Sequence, residues 1–120
     1  MNDWDIKLER YRQENKNVKS DETVFAGSSL MEMFPINKLL EEHNDDTIVY
    51  NRGIGGYLTD NLLENLDVCV TDLRPSKVFI NIGTNDLSWA DKSISGIMDN
   101  YDRIITGIEK ALPDAVIYLM

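Results

Sequence analysis

Two hydroxyls behind a glycine, Gly27-Ser28-Ser29, stand where an apolar run from Thr23 to Ala26 gives way to a helical pattern from Leu30 onward. A small residue, a hydroxyl and a helix start at the carboxyl end of a buried strand make a natural reaction site. The first amides of a helix lack internal partners and carry partial positive charge, so an oxyanion is stabilised there. The same pattern also serves an N-cap, in which either serine hydroxyl accepts from one of those amides. Two further turns follow, Asn51-Arg52-Gly53-Ile54-Gly55-Gly56 and Gly83-Thr84-Asn85-Asp86, each behind a short β-rich run.

The elements that must position these turns can be read in order. Trp4, Leu8 and Tyr11 recur at helical spacing, with charges on the opposite face, and Asn15 to Glu22 is polar linker. Pro35 opens a helix carrying Ile36, Leu39 and Leu40, which Asn44-Asp45-Asp46 ends. Thr47–Tyr50 is a second strand. Thr59-Asp60 caps one continuous helix bearing Leu62, Leu63, Leu66 and Val70, stopped by Arg74-Pro75. A third strand spans Lys77–Ile82, and a long helix from Ser93 to Ala111 carries Ile97, Met98, Tyr101, Ile104, Ile105 and Ile108 at helical spacing. Ala115–Met120 is a fourth strand. Short apolar strands alternating with helices imply a parallel sheet covered on both faces, with right-handed crossovers. Ligands of such sheets bind beyond the carboxyl ends of the strands, where the strand order reverses. The glycine turns at Gly27, Gly53 and Gly83 all follow strands and so share one edge of the sheet. With the first strand between the second and third, they converge on one crevice.

Taken together, Gly27-Ser28-Ser29-Leu30, Asn51-Arg52-Gly53-Ile54-Gly55-Gly56 and Gly83-Thr84-Asn85-Asp86 resemble the first three sequence blocks of the SGNH (GDSL-type) acylhydrolase family. The resemblance runs from Thr23 to Met120, in the family's order. It implies a flavodoxin-like three-layer α/β/α sandwich with a parallel sheet in the order 2-1-3-4, the family's fifth strand missing. It also implies a serine ester hydrolase acting on small acyl or acetyl esters of lipid or carbohydrate, without a cofactor. Ser29 matches the family nucleophile, and its own amide would be the first oxyanion donor. Gly53 would bring a second backbone amide, and Asn85 a third donor through its side chain. Ester cleavage needs such a nucleophile, donors aimed at the developing oxyanion, and a base.

Two departures from the family stand out. Ser28 occupies the place of the usual aspartate before the nucleophile, which bears on the shape of the loop. More severely, the Asp-x-x-His block that carries the family's base has no counterpart. The only histidine, His43, lies on a helix leading away from Ser29, roughly 20 Å off at ~1.5 Å rise per residue. The 120 residues are therefore expected to be a single, C-terminally incomplete domain, inactive alone, with an exposed fourth-strand edge that favours homo-oligomers. A non-catalytic module holding an anion such as phosphate in the Gly27–Ser29 turn is the competing reading, with a truncated pseudoenzyme as a third. Leu30, Met31, Tyr57 and Trp89 flank the loops as candidates for an acyl pocket.

Composition narrows the partners. Twelve basic against 21 acidic residues leave a net charge of −9, which repels nucleic acid and anionic membrane surfaces. Cys69 is the sole cysteine, so no internal disulfide forms and a reducing, cytoplasmic setting is expected. No apolar run reaches the roughly 20 residues of a membrane span.

Overall fold

The computed structural model describes residues 2–120. Strands β1 (Thr23–Gly27), β2 (Val49–Asn51), β3 (Lys77–Asn81) and β4 (Val116–Leu119) form one parallel sheet in the order β2-β1-β3-β4. This is the α/β architecture and strand order expected from the sequence. Phe25 pairs with Asn51, and Gly27 with Asn81, so the turns that follow these three strands leave the same edge together.

The pleat sorts the strand residues between two layers, because successive side chains point to opposite faces. Val24, Ala26, Val78 and Ile80 face a core built with α1 (Asp3–Glu14), α4 (Thr59–Glu64), α5 (Leu66–Cys69) and α7 (Ile94–Ala111). Phe25 and Val49 face a smaller cluster with Met31, packed by Ile36, Leu40 and Phe79. The second layer is thinner. β4 carries Val116, Tyr118 and Leu119 exposed at 49%, 41% and 55%, although Tyr118 stacks on Phe79 with ring centroids 4.4 Å apart.

As expected, a helical turn follows the serines, α2 (Ser29–Glu32), and Pro35 opens a further helix, α3 (Ile36–Glu42), while three other elements differ from the sequence expectation. Pro35 has no N–H to continue a helix and restricts Phe34 before it. The helix after Thr59 breaks at Asn65, whose side chain donates to the Asn61 carbonyl at 3.0 Å and to the Tyr57 hydroxyl at 3.3 Å. A short polar side chain competes there with the helix's own ladder. β2 starts at Val49 because the Asp45 carboxylate captures the Thr47 amide and hydroxyl at 2.9 and 2.6 Å. Thr84–Ser88, read only as a turn, is a single-turn helix, α6. In α7 the buried stripe is Ile97, Ile104 and Ile108, whereas Met98 is exposed. No helix among the described residues is long and apolar enough to cross a membrane.

Cys69 is fully buried at the end of α5. Burial pushes its thiol up from the ordinary 9.0 to about 12, against a smaller downward pull from Arg52. A folded pKa above the unfolded one means that the folded protein holds the proton longer. That contribution is complete below about pH 9 and is lost as pH rises toward 12. Urea titrations at neutral and alkaline pH should therefore show stability falling above about pH 9, with a shallower fall in Cys69→Ala.

Candidate active site

The turn after β1 separates the two serines by burial. Ser28 is 5% exposed, whereas Ser29 is exposed as the first residue of α2. Ser28 occupies the N-cap position, yet its hydroxyl accepts no bond from the helix. The capping alternative for the pair is thus not met by either serine. The amides of Met31 and Glu32 return to the Ser28 carbonyl at 3.1 and 2.9 Å, while those of Ser29 and Leu30 have no acceptor among the described residues. Two unpaired N–H groups at a helix start, beside an exposed hydroxyl, face the same edge of the sheet.

The loop after β2 reaches this turn directly. A Cβ placed on Gly55 would lie 3.8 Å from the Ser29 Cβ. The expectation that Gly53 supplies the second oxyanion amide fails on hydrogen bonding. Its N–H donates to the Asn51 side chain at 2.9 Å, and the residue is buried against α2, where a Cβ would sit 2.3 Å from the Glu32 nitrogen. Gly53 is a close-approach glycine. Its neighbours are also committed: Ile54 donates to the Gly27 carbonyl at 2.9 Å, Gly55 to Glu32 Oε1 at 2.6 Å and Tyr57 to the Ile54 carbonyl at 3.2 Å. From Gly53 to Tyr57, the one amide without an acceptor among the described residues belongs to Gly56, which is half-buried with φ +83°.

The turn after β3 closes the third side. Asn85 lies in the first turn of α6 and donates through Nδ2 to the Tyr57 carbonyl at 3.1 Å, one residue beyond Gly56. The second hydrogen of that amide remains for a ligand. Asp86 is completely buried and accepts from the Thr59 amide at 3.0 Å and the Thr59 hydroxyl at 2.6 Å. Thr59, read from sequence as a helix cap, instead ties the second loop to the third. These bonds tie the third turn to the loop that passes Ser29 at Gly55.

Other expected residues lie elsewhere. His43 is exposed at the C-terminal end of α3. Met31 and Tyr57 are core residues at 1% and 2% exposure, so only Leu30 and Trp89, exposed at 64% and 57%, remain to flank the site. Arg52, the basic residue nearest the turns in sequence, is 4% exposed and turned toward α1. Its guanidinium meets Asn15 at 3.0 Å and Glu14 at 3.3 Å and lies over the Tyr11 ring. In the sequence, Trp4 reads only as a helix-face residue, Thr59 as a cap and Asp86 as part of a turn, and Glu32 is given no role.

A parallel sheet in the order 2-1-3-4, with a hydroxyl-bearing helix start at its switch point, defines a flavodoxin-like α/β domain. The sequence profile of the GDSL-like lipase/acylhydrolase family matches residues 34–120, and the chain belongs to that family. The matched stretch includes the Gly53 loop and the Asn85 turn but begins beyond Ser29. Comparison with curated proteins returned no match. Among solved structures, a Streptococcus pneumonia protein described as a candidate platelet activating factor is 33% identical with a TM-score of 0.84, over 96% of this chain and 52% of its own. A candidate acylhydrolase from Bacteroides fragilis is 23% identical with a TM-score of 0.78, over 99% and 58%. The psychrotrophic esterase EstA of Pseudoalteromonas is 20% identical with a TM-score of 0.69, over 83% and 59%. The chain therefore spans between half and three-fifths of the length of these structures.

The Asp86–Thr59 lock is open to a direct test. Asp86→Ala strands a buried N–H and a buried hydroxyl, and should lower the unfolding free energy by about 1–3 kcal/mol in denaturant titrations.

Proposed function

We propose that this chain carries the nucleophile and oxyanion hole of a serine ester hydrolase acting on small acyl or acetyl esters of lipid or carbohydrate. The observation that carries the reading is the exposed Ser29 beside the Gly55–Gly56 loop, with the Ser29 and Gly56 amides unpaired among the described residues and Asn85 bonded to the Tyr57 carbonyl of that loop. Ser29 Oγ attacks the ester carbonyl, and the carbonyl oxygen, now negative, receives these three donors. Preorganised donors of this kind favour the tetrahedral intermediate over the flat ester, which is what lowers the barrier. Collapse of the intermediate expels the alcohol and leaves an acyl-serine for water to hydrolyse.

The hydroxyl must lose its proton as it attacks, and His43 stands at the end of α3 with no described bond to the site. In this reading the proton acceptor comes from polypeptide other than these 120 residues, and the chain alone turns over esters negligibly. The commitment of Arg52 to Glu14 and Asn15 weighs against the competing phosphate-binding reading. The lone, buried Cys69 supports a reducing, cytoplasmic setting.

A fluorophosphonate tests the assignment, since Ser29 Oγ would displace fluoride at phosphorus and release its proton to solvent. In the complete enzyme that carries the proton acceptor, mass spectrometry should place the adduct on Ser29, formed about a hundredfold to a thousandfold more slowly in Asn85→Ala. An adduct on Ser28, or one that persists in Ser29→Ala, would sink the assignment. The unpaired outer edge of β4, with its exposed Val116 and Leu119, supports a second proposal, that copies of the chain associate through this edge. Light scattering should then report a dimer or larger species, which Ile117→Pro, blocking one outward amide, should shift toward monomer.

A further inference from the structure

The loop between β2 and α4 has no regular structure, yet one of its residues, Gly55, is held on both sides, its carbonyl by α1 and its amide by Glu32 of α2. The Gly55 carbonyl accepts from Trp4 Nε1 at 2.8 Å. The Gly55 amide donates to Glu32 Oε1 at 2.6 Å, and both oxygens of that carboxylate meet Lys7 Nζ, at 3.0 and 2.9 Å. Trp4 and Lys7 lie one turn apart on the same helix. The indole also covers Gly56, where a Cβ would lie 3.3 Å from Trp4 Cζ2, and meets the Tyr57 ring edge-on at 5.4 Å.

The geometry of one peptide plane makes these bonds consequential. The Gly55 carbonyl and the Gly56 N–H belong to the same trans peptide unit and point in opposite directions. Whatever holds the carbonyl therefore aims the amide. Glycine on both sides makes this unit unusually free to flip, since neither residue carries a Cβ that restricts its dihedrals. A flip would present a carbonyl oxygen, a negative dipole end, where the oxyanion needs a donor.

We infer that α1 is a clasp that sets the Gly56 N–H beside Ser29, with Trp4 fixing the carbonyl side of the peptide and the Lys7–Glu32 pair bracing the residue before it. The inference rests on the reading of Gly56 as an oxyanion donor. Trp4, Lys7 and Glu32 are positioning residues, since none of them touches the reacting atoms. Ser29, Glu32 and all of α1 precede the stretch matched by the family profile, which begins at residue 34. The clasp thus joins the two parts of the chain at the site itself.

Trp4→Phe keeps an aromatic ring in place and removes only the N–H. In amide NMR spectra of the full chain, the Gly55 and Gly56 resonances should move or broaden while those of Val24, Val78 and Ile80 stay put. In the complete enzyme that carries the proton acceptor, fluorophosphonate labelling of Ser29 should slow by about tenfold to a hundredfold, the size of effect expected from a misaimed catalytic group. Unmoved Gly56 resonances, or unchanged labelling despite moved resonances, would overturn the inference. Lys7→Met, on a partly exposed side chain, provides a second arm should Trp4→Phe fail to fold. Hydrogen exchange at the Gly55 amide should then quicken about fivefold, and unchanged protection would count equally against the clasp. If wild-type Ser29 takes no label even in the complete enzyme that carries the proton acceptor, the hydrolase reading fails, while the resonance and exchange measurements still decide how the peptide is held.

Discussion

Everything at the reactive edge depends on how closely β1 passes β3. Gly27 and Asn81 are paired in register, and a Cβ on Gly27 would lie 2.1 Å from the Asn81 carbonyl oxygen. Its φ of +153° is also one that side chains rarely adopt. With the side chain absent, the Asn81 carbonyl takes the Ser28 amide at 3.3 Å, and the Gly27 carbonyl takes the Ile54 amide at 2.9 Å. These two backbone bonds stitch the ends of the three strands before any functional side chain is placed. Ser29 stands one residue beyond this junction, and its location follows from main-chain geometry. A larger residue at Gly27 would push the strands apart where their loops must meet.

In the proposed reading, the site forms on a strongly acidic protein without using a positive side chain. The donors are neutral: two backbone amides and one carboxamide. Such dipoles act at hydrogen-bond range and recognise where charge develops, whereas a nearby cation would also draw in unrelated anions. The charged groups close by are neutralised within the fold. Glu32 spends its carboxylate on the Gly55 amide and on Lys7, and the Arg52 guanidinium lies over the Tyr11 ring and against Glu14. A free carboxylate at Glu32 would oppose an oxyanion formed at Ser29, and this pairing prevents it from doing so.

The parts legible in the sequence were those encoded locally. Strand positions and the shared edge of the turns follow from apolar runs and glycine punctuation, the 2-1-3-4 order is implied by the resemblance to the family, and the structure has all three. The start at Pro35 was legible, but helix continuity past Thr59 was harder, because Asn65 interrupts a pattern whose apolar spacing runs straight through it. At the site, the Asn51-Arg52-Gly53-Ile54-Gly55-Gly56 run announces a loop but does not say which glycine amide is left free. That depends on acceptors distant in sequence: Asn51 within the loop, Gly27 from β1 and Glu32 from α2. Elimination among them leaves Gly56, and no periodicity could have done so. The buried lock between Asp86 and Thr59 was hidden for the same reason, as each residue reads locally as turn or cap.

The first helix shows what such long-range bonds contribute. Among its residues only Tyr11 is buried, and a polar, charge-studded helix of this kind adds little through apolar burial. Its polar bonds are different in character. Tyr11 donates to the Gly53 carbonyl at 2.7 Å and Trp4 to the Gly55 carbonyl at 2.8 Å, so two alternate peptide units of one glycine-rich loop are held by one helix face. Each bond is worth only about 1 kcal/mol net, because water would satisfy the same groups in the unfolded chain. Water would not, however, hold a flexible loop in one orientation. Glycines are needed there because the backbone must come within contact of α2 and of the Trp4 ring, and that freedom would leave the loop without a fixed direction. The helix supplies the direction from outside. Close approach and fixed orientation, which no single residue type provides together, are divided between the loop and the helix that covers it.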